Sequence, residues 1–465
     1  MLRLNRTKSK GSQSIRQFAQ DLVSGRIAET EIVREEIANI RGYNHDLNAF
    51  ITIFEPDSKI VADAVKNAEI AIKTTRKSAR LDRPLVGVPF TIKDNIFVSR
   101  YRTTDGCVAF KDFIPAVNAD VFDSFMKGGA VPLGKTNLHE LTLGPTCSAS
   151  FFGAVRNPVD RTRVAGGSSG GSAVSVAKAK HAIATIGSDT GGSVRIPAAL
   201  CGVCGFKQTI NTISSFGVFP LSATLDTVGV LARTMEDLMT TFSGILPNRP
   251  FQARNSATRR RKKKIGIPGK RYFDDADKQV SKNFWKTIEL IEQEYEIVEG
   301  INIPDEEKVS RVRRSIMLRE GAWFYSEIIG NEEYRKQMDS SVLAGFDAGA
   351  RIGTLEGMQS ELERMNFTSR MFAVFECVDF VAMPTCHLVA PRLEDMLDKE
   401  KYARARSLLI RNPEVWNLCG FPAVSLPSNR LDSDSLPTGI QLAGEFGHDI
   451  ELLELGKRVW DMIHG

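Results

Sequence analysis

Apolar residues between 12 and 42 recur at helical spacing: Ile15, Phe18 and Leu22, then Ile27, Ile32, Val33, Ile37 and Ile40. Gly25 interrupts the stripe, so two helices are predicted, and a third over about 57–78. The segment from Pro84 to Lys93 is short, apolar and bounded by prolines, which predicts a buried strand. From there to about 245, strand-like runs (AVPLGKT, HAIATIGS) alternate with helical ones (GSAVSVAKAK), a texture that predicts an α/β architecture with a largely buried sheet. A strand is expected at KKIGIP, helices across about 275–376, and strands again at VDFVAMPT, AVSLPS and GIQLAG before a last helix, ELLELGKRVWDMI. No internal repeat is evident.

This pattern divides the chain into 1–57, N-terminal helices; 58–246, a glycine-rich core; 247–264, a polar and basic connector; 265–376, mostly helical; and 377–465, a return to the sheet. Composition adds little: of 465 residues 42% are hydrophobic and 25% charged, as in ordinary globular proteins. The net charge of +5 is local, because the run Arg259 to Lys264 alone supplies six positive charges. Such a run is more often a solvated loop than a nucleic-acid contact. Seven scattered cysteines, an odd number, fit a reducing compartment rather than a disulfide framework. The basic start has no apolar stretch behind it and no window approaches a membrane span, so a cytoplasmic protein is expected.

Candidate chemistry gathers in three pieces: Gly166-Gly-Ser168-Ser169-Gly-Gly-Ser172 before a helix, Gly187-Ser-Asp189-Thr190-Gly191-Gly192-Ser193 after a strand, and Lys93-Asp94-Asn95 at a strand end. Acyl transfer needs a nucleophile, a base and donors for a developing oxyanion. A serine after Thr-Gly-Gly can supply the first, and side-chain-free backbone N–H groups the last. None of the six histidines lies in a Gly-Ser context that suggests a Ser-His-Asp triad. A lysine can act instead when burial favours its neutral form, and Lys93 follows an apolar strand.

The stretch GGSSGGSAVSVA, with the second serine 24 residues on in SDTGGSVRIPA, resembles the amidase-signature family. GVPFTIKDN, GAVPLGKTN, FGAVRNP, CGVCGFKQT and SATLDTVGVLART extend the similarity over most of 60–240, and FPAVSLP with PTGIQLAG extends it more loosely. The resemblance implies one large α/β domain, a mixed sheet with helices on both faces, and a Ser–cis-Ser–Lys triad needing neither cofactor nor metal. Ser193 would form the acyl-enzyme, Ser169 would be the bridging serine, and Lys93 the general base acting through it. The N–H groups of Thr190, Gly191, Gly192 and Ser193 would form the oxyanion hole.

The partner implied is a small-molecule amide, with no membrane and with room for a homodimer. The family holds general amidases and the glutaminase (A) subunit of tRNA-dependent amidotransferases, the case in which the basic run would face tRNA. Two departures favour a stand-alone amidase acting on linear amides. The acidic residue that recognises the glutamine amino group is missing from the stretch before Asn417-Leu-Cys-Gly-Phe-Pro422, where Arg411 sits nearby, and the usual Lys-Pro-Thr is Lys207-Gln208-Thr209.

Three other motifs carry blander readings. Gly129 to Thr136 fits the P-loop pattern of an NTPase, but Val131-Pro132-Leu133 reads as the strand itself. Ser175-Val-Ala-Lys178 matches S-x-x-K without its companion motifs and is expected on the polar face of a helix. Cys201-Gly-Val-Cys204 has no second pair to complete a zinc site, so small buried thiols are expected. Asp189 and Arg195, flanking Ser193, are expected to pair and brace its loop.

Overall fold

The computed structural model describes residues 13–78, 83–246, 262–429 and 435–465. Nearly all of the basic connector, with Arg259 to Arg261, lies outside them. The first two helices run Ile15–Ser24 and Glu29–Leu47, separated at Gly25, and bury the apolar stripe that predicts them. The third is Lys59–Ser78.

Eleven described strands form one mixed sheet: β1 Phe50–Ile53, β2 Pro89–Lys93, β3 Val131–Thr136, β4 Ala184–Asp189, β5 Cys204–Lys207, β6 Thr227–Ala232, β7 Lys264–Pro268, β8 Glu296–Ile301, β9 Phe380–Pro384, β10 Ala423–Pro427 and β11 Gly439–Gly444. Their order is β1-β3-β2-β4-β6-β5-β10-β11-β9-β7-β8. β3, β2 and β4 run parallel, as do β9, β7 and β8, and antiparallel pairings join and flank these groups.

Side chains alternate across a strand, so a sheet covered on both faces sends neighbours into different cores. Phe380 and Ala382 of β9 join one apolar cluster, whereas Val381 and Met383 join another. The first cluster lies under the N-terminal helices and the last helix, Asp449–His464. The second lies under helices from the middle of the chain, Val309–Phe324, Ser340–Ala350 and Thr354–Cys377.

Two strands interrupt stretches that read as helical. β1 falls within 1–57, and β8 within 265–376. β8 is an edge strand pairing only with β7 and is largely exposed, so it lacks the apolar run that marks the interior strands. The P-loop-like Gly134-Lys135-Thr136 is β3 itself. A Cβ at Gly134 would collide with the Thr52 carbonyl of the neighbouring antiparallel β1, and buried Lys135 pairs with Asp94 at 2.7 Å. Cys201 and Cys204 are buried free thiols. Ser175 is buried too, not on a polar face: its hydroxyl meets Thr91 Oγ1 at 2.9 Å and donates to the Ser172 carbonyl at 2.8 Å. No described helix is long and apolar enough to cross a membrane.

Candidate active site

Parallel β2 and β4 end side by side, and loops beyond the carboxyl ends of such strands form natural crevices. β2 ends at Lys93, and β4 delivers Asp189 and the loop to Ser193. The third piece arrives on the turn before the helix Gly170–Lys178. Its contact with the Ser193 loop is made through backbone: the Ser169 N–H donates to the Ser193 carbonyl at 3.0 Å.

Lys93 is fully buried, and its Nζ donates to Ser168 Oγ at 2.7 Å and to Ser188 Oγ at 2.8 Å. Asn95 Nδ2 donates to the same Ser188 oxygen at 3.0 Å. Burial lowers the Lys93 pKa to about 8, opposed by the carboxyl groups of Asp105, Asp226 and Asp189. Of these, Asp105 is itself pushed up by burial, and it accepts a 2.7 Å hydrogen bond from Tyr325 Oη.

The serine facing Lys93 is therefore Ser168, not the expected Ser169. The cis peptide bond also lies one residue earlier, between Gly167 and Ser168. Ser169 holds the position that opens the following helix, and its Oγ donates away from Lys93 to the Ser188 carbonyl at 3.2 Å. Two adjacent serines in a Gly-Gly-Ser-Ser-Gly-Gly run have equivalent surroundings in sequence. Only the turn into the helix decides which hydroxyl meets the amine.

Ser193 keeps 9% of its surface, whereas Lys93, Ser168 and Ser169 keep none. It lines a narrow pocket together with Thr190, Gly191, Arg313, Met317 and Arg406. Among the described residues, the backbone N–H groups of Thr190, Gly191 and Ser193 find no acceptor. That of Gly192 is already engaged, donating to Asp189 Oδ1 at 2.8 Å, which removes it from the expected oxyanion set. The loop is tightly fitted at this point. Gly192 has φ +112°, and a Cβ there would lie 2.5 Å from Pro413 Cβ.

Asp189 and Arg195 pair as expected, at 2.8 Å and fully buried. Asp189 also accepts from the Val194 N–H at 3.1 Å and from Asn417 Nδ2 at 2.8 Å. Arg195 extends the bracing to Gln441 Oε1 at 2.6 Å and to the Pro413 carbonyl at 3.0 Å. Burial opposes ionisation of Asp189, yet the guanidinium and the surrounding donors hold its carboxyl well below the usual range.

His139 lies near the serine loop, its N–H donating to the Ser168 carbonyl at 3.1 Å, but burial drops its pKa to about 4. Its neutral ring accepts from the Cys147 N–H at 3.1 Å through Nδ1.

Several site residues carry no local signal in the sequence. Ser188 gives Lys93 its second acceptor, and only its nearness to the Asp-Thr-Gly-Gly run could have marked it. Asp226 accepts from Thr190 Oγ1 and from the N–H groups of Leu221 and Ser222. Arg313, Glu414 and Arg406 come from helices distant in sequence. Arg411 turns away, donating to the Asp274 carbonyl at 3.1 Å with Asp275 nearby, while Ile410 lines the pocket.

Comparison with known proteins gives a consistent picture. A family model described as Amidase matches residues 31–453. The A subunit of glutamyl-tRNA(Gln) amidotransferase from Exiguobacterium sp. is 30% identical over 461 residues, covering 91% of this chain and 92% of that one. The corresponding protein of Methylobacillus flagellatus is 29% identical, with 96% of each chain covered. Among solved structures, a crystal structure of an amidase is 28% identical with a TM-score of 0.82, covering 96% of this chain and 99% of that one. The A subunit of the Thermotoga maritima glutamyl-tRNA(Gln) amidotransferase is 26% identical with a TM-score of 0.76, covering 95% and 92%.

Proposed function

Because the chain belongs to the Amidase family and is an amide-hydrolysing enzyme, we propose that it works through an acyl-enzyme on Ser193, with Ser168 and Lys93 as the proton relay. The observation that carries this reading is the buried 2.7 Å contact between Lys93 Nζ and Ser168 Oγ, beside a loop that offers Ser193 to the pocket. Neutral Lys93 takes the Ser168 proton as Ser168 takes that of Ser193, and the Ser193 oxygen attacks the amide carbon. The free N–H groups of Thr190, Gly191 and Ser193 stabilise the oxyanion, each such donor contributing about 3–4 kcal/mol in comparable sites. The relay returns its proton to the departing nitrogen, and water then hydrolyses the ester along the same path.

On this reading the partner is a small-molecule amide, no metal or cofactor takes part, and the cytoplasm and a homodimer are the expected setting. Similarity to the A subunits of amidotransferases supports a second reading, glutaminase action within a complex, in which the basic run before β7 would approach tRNA. The single-chain reading is favoured by Ile410 and by the absence of a carboxylate among the described residues that line the pocket.

A fluorophosphonate probe followed by peptide mapping tests the proposal. Label on Ser193, and loss of both label and amide hydrolysis in Ser193→Ala, is expected. Label elsewhere, or hydrolysis surviving in Ser193→Ala, would overturn it. Glutamine-dependent ammonia release together with stable co-purification of partner subunits would move the assignment to the second reading.

A further inference from the structure

Two guanidinium groups line the pocket beside Ser193, and they differ in what balances them. Arg313, on the helix Val309–Phe324, is buried and paired, its Nε donating to Glu414 Oε2 at 2.8 Å and its Nη1 meeting Met317 Sδ at 3.1 Å. It also packs on the nucleophile loop, since a Cβ at Gly191 would lie 2.8 Å from Arg313 Nη1. Arg313 is thus committed to the protein.

Arg406, on the helix Lys399–Ile410, is partly buried. Among the described residues, no hydrogen bond or ion pair reaches its guanidinium. Burial weighs against its charge, and so do Arg314 and Arg313, against support from Tyr402 and Glu414. Its pKa falls to about 10, which still leaves a cation at neutral pH. A partly desolvated cation without a partner is costly, and an arriving anion removes that cost. The planar guanidinium matches a carboxylate in two-pronged geometry.

The remaining walls decide what accompanies the anion. Leu143, Leu221, Met317 and Ile410 are apolar, which suits a short hydrocarbon spacer, and among the described lining residues none is a carboxylate that could receive an ammonium group. We infer that the substrate is the monoamide of a short dicarboxylic acid lacking an α-ammonium group, with its free carboxylate held by Arg406 while its amide carbon faces Ser193. Hydrolysis then yields the dicarboxylate and ammonia. This rests on the Ser193 reading and adds the substrate class to it.

Two measurements test the inference and separate its failure from that of the reading beneath it. The first compares kcat/KM for succinamate, for butyramide as its uncharged counterpart, and for glutamine. A charge-assisted contact of this kind predicts a preference for succinamate over butyramide of about tenfold to a hundredfold. Glutamine should trail by a similar factor. In Arg406→Gln the succinamate-to-butyramide ratio should fall by at least about tenfold, through KM more than kcat.

Equal rates on succinamate and butyramide, or equal use of glutamine, would overturn the inference and leave hydrolysis at Ser193 standing. A ratio unmoved by Arg406→Gln would do the same. The second measurement is calorimetric titration of succinamate into Ser193→Ala, where binding should weaken by at least about tenfold when Arg406→Gln is added. If the native enzyme hydrolyses no amide yet this binding difference is found, the Ser193 reading fails and the anion site stands. No binding, or binding indifferent to Arg406, would overturn the site.

Discussion

Lys93 offers the most quantitative test of the proposed relay, because the property that would make it a base also leaves a mark on stability. An exposed lysine at pH 7 is almost wholly protonated, whereas burial brings Lys93 to about 8. The neutral fraction is then about one in eleven at pH 7 and about ten in eleven at pH 9. Activity needs the neutral amine, so kcat/KM should rise with pH, about tenfold from 7 to 9, and level off above. An uncharged amide such as butyramide should be used, so that no substrate ionisation enters.

The same burial carries a stability consequence with a definite sign. The folded pKa lies below the unfolded value of 10.5, so between about 8 and 10.5 the unfolded chain binds more protons and stability rises with pH. Below that window the buried group costs about 3 kcal/mol, from roughly 1.4 kcal/mol for each tenfold loss of proton affinity. Lys93→Met removes this cost. At pH 7 it should lower activity by at least about a thousandfold while raising the unfolding free energy by up to about 3 kcal/mol. Ammonia release across pH 6–10 and urea unfolding at pH 7 read the two effects. A profile flat from pH 6 to 9, or a Lys93→Met enzyme with more than about a hundredth of native activity, would refute the reasoning.

Two further outcomes follow from the geometry. Ser168→Ala should reduce kcat about as severely as Lys93→Met, whereas Ser169→Ala, whose hydroxyl serves only the Ser188 carbonyl, should stay within about tenfold of the native rate; steady-state kinetics giving the reverse order would restore Ser169 to the relay. Arg195→Met leaves Asp189 buried without its counterion, so urea unfolding should show a loss of about 3–5 kcal/mol, and a loss below about 1 kcal/mol would mean that the loop is braced by its other donors.

The features legible in the sequence are those encoded locally. Apolar spacing marks the first two helices and their break at Gly25, and apolar runs between turn residues mark β2, β3, β4, β7, β9, β10 and β11. β8 escapes because Glu296 and Glu299 give an exposed edge strand the polarity of a surface helix. The pocket escapes for a different reason. Arg313 and Arg406 lie 93 residues apart on separate helices, and neither shows by its neighbours that one pairs with Glu414 while the other has no ion pair or hydrogen bond among the described residues.

The lysines show most directly where sequence reasoning stops. Lys93, Lys135 and Lys207 all end or nearly end short apolar strands, and all three are fully buried. By strand context alone each qualifies as an amine of lowered pKa, and burial does lower all three. Their surroundings then divide them. Lys135 faces Asp94 at 2.7 Å, a pairing that favours the charged form and occupies the amine. Lys207 is also brought to about 8, but its Nζ donates to the Gln208 carbonyl at 3.0 Å, an oxygen with no proton to give. Lys135 also donates to a hydroxyl, Thr103 Oγ1 at 2.9 Å, but beside the Asp94 carboxylate it stays charged, whereas Lys93 meets two hydroxyls, Ser168 at 2.7 Å and Ser188 at 2.8 Å, with no ion pair among the described residues. A base needs a lowered pKa and a transferable proton within reach, and the second condition depends on a turn 75 residues away in sequence.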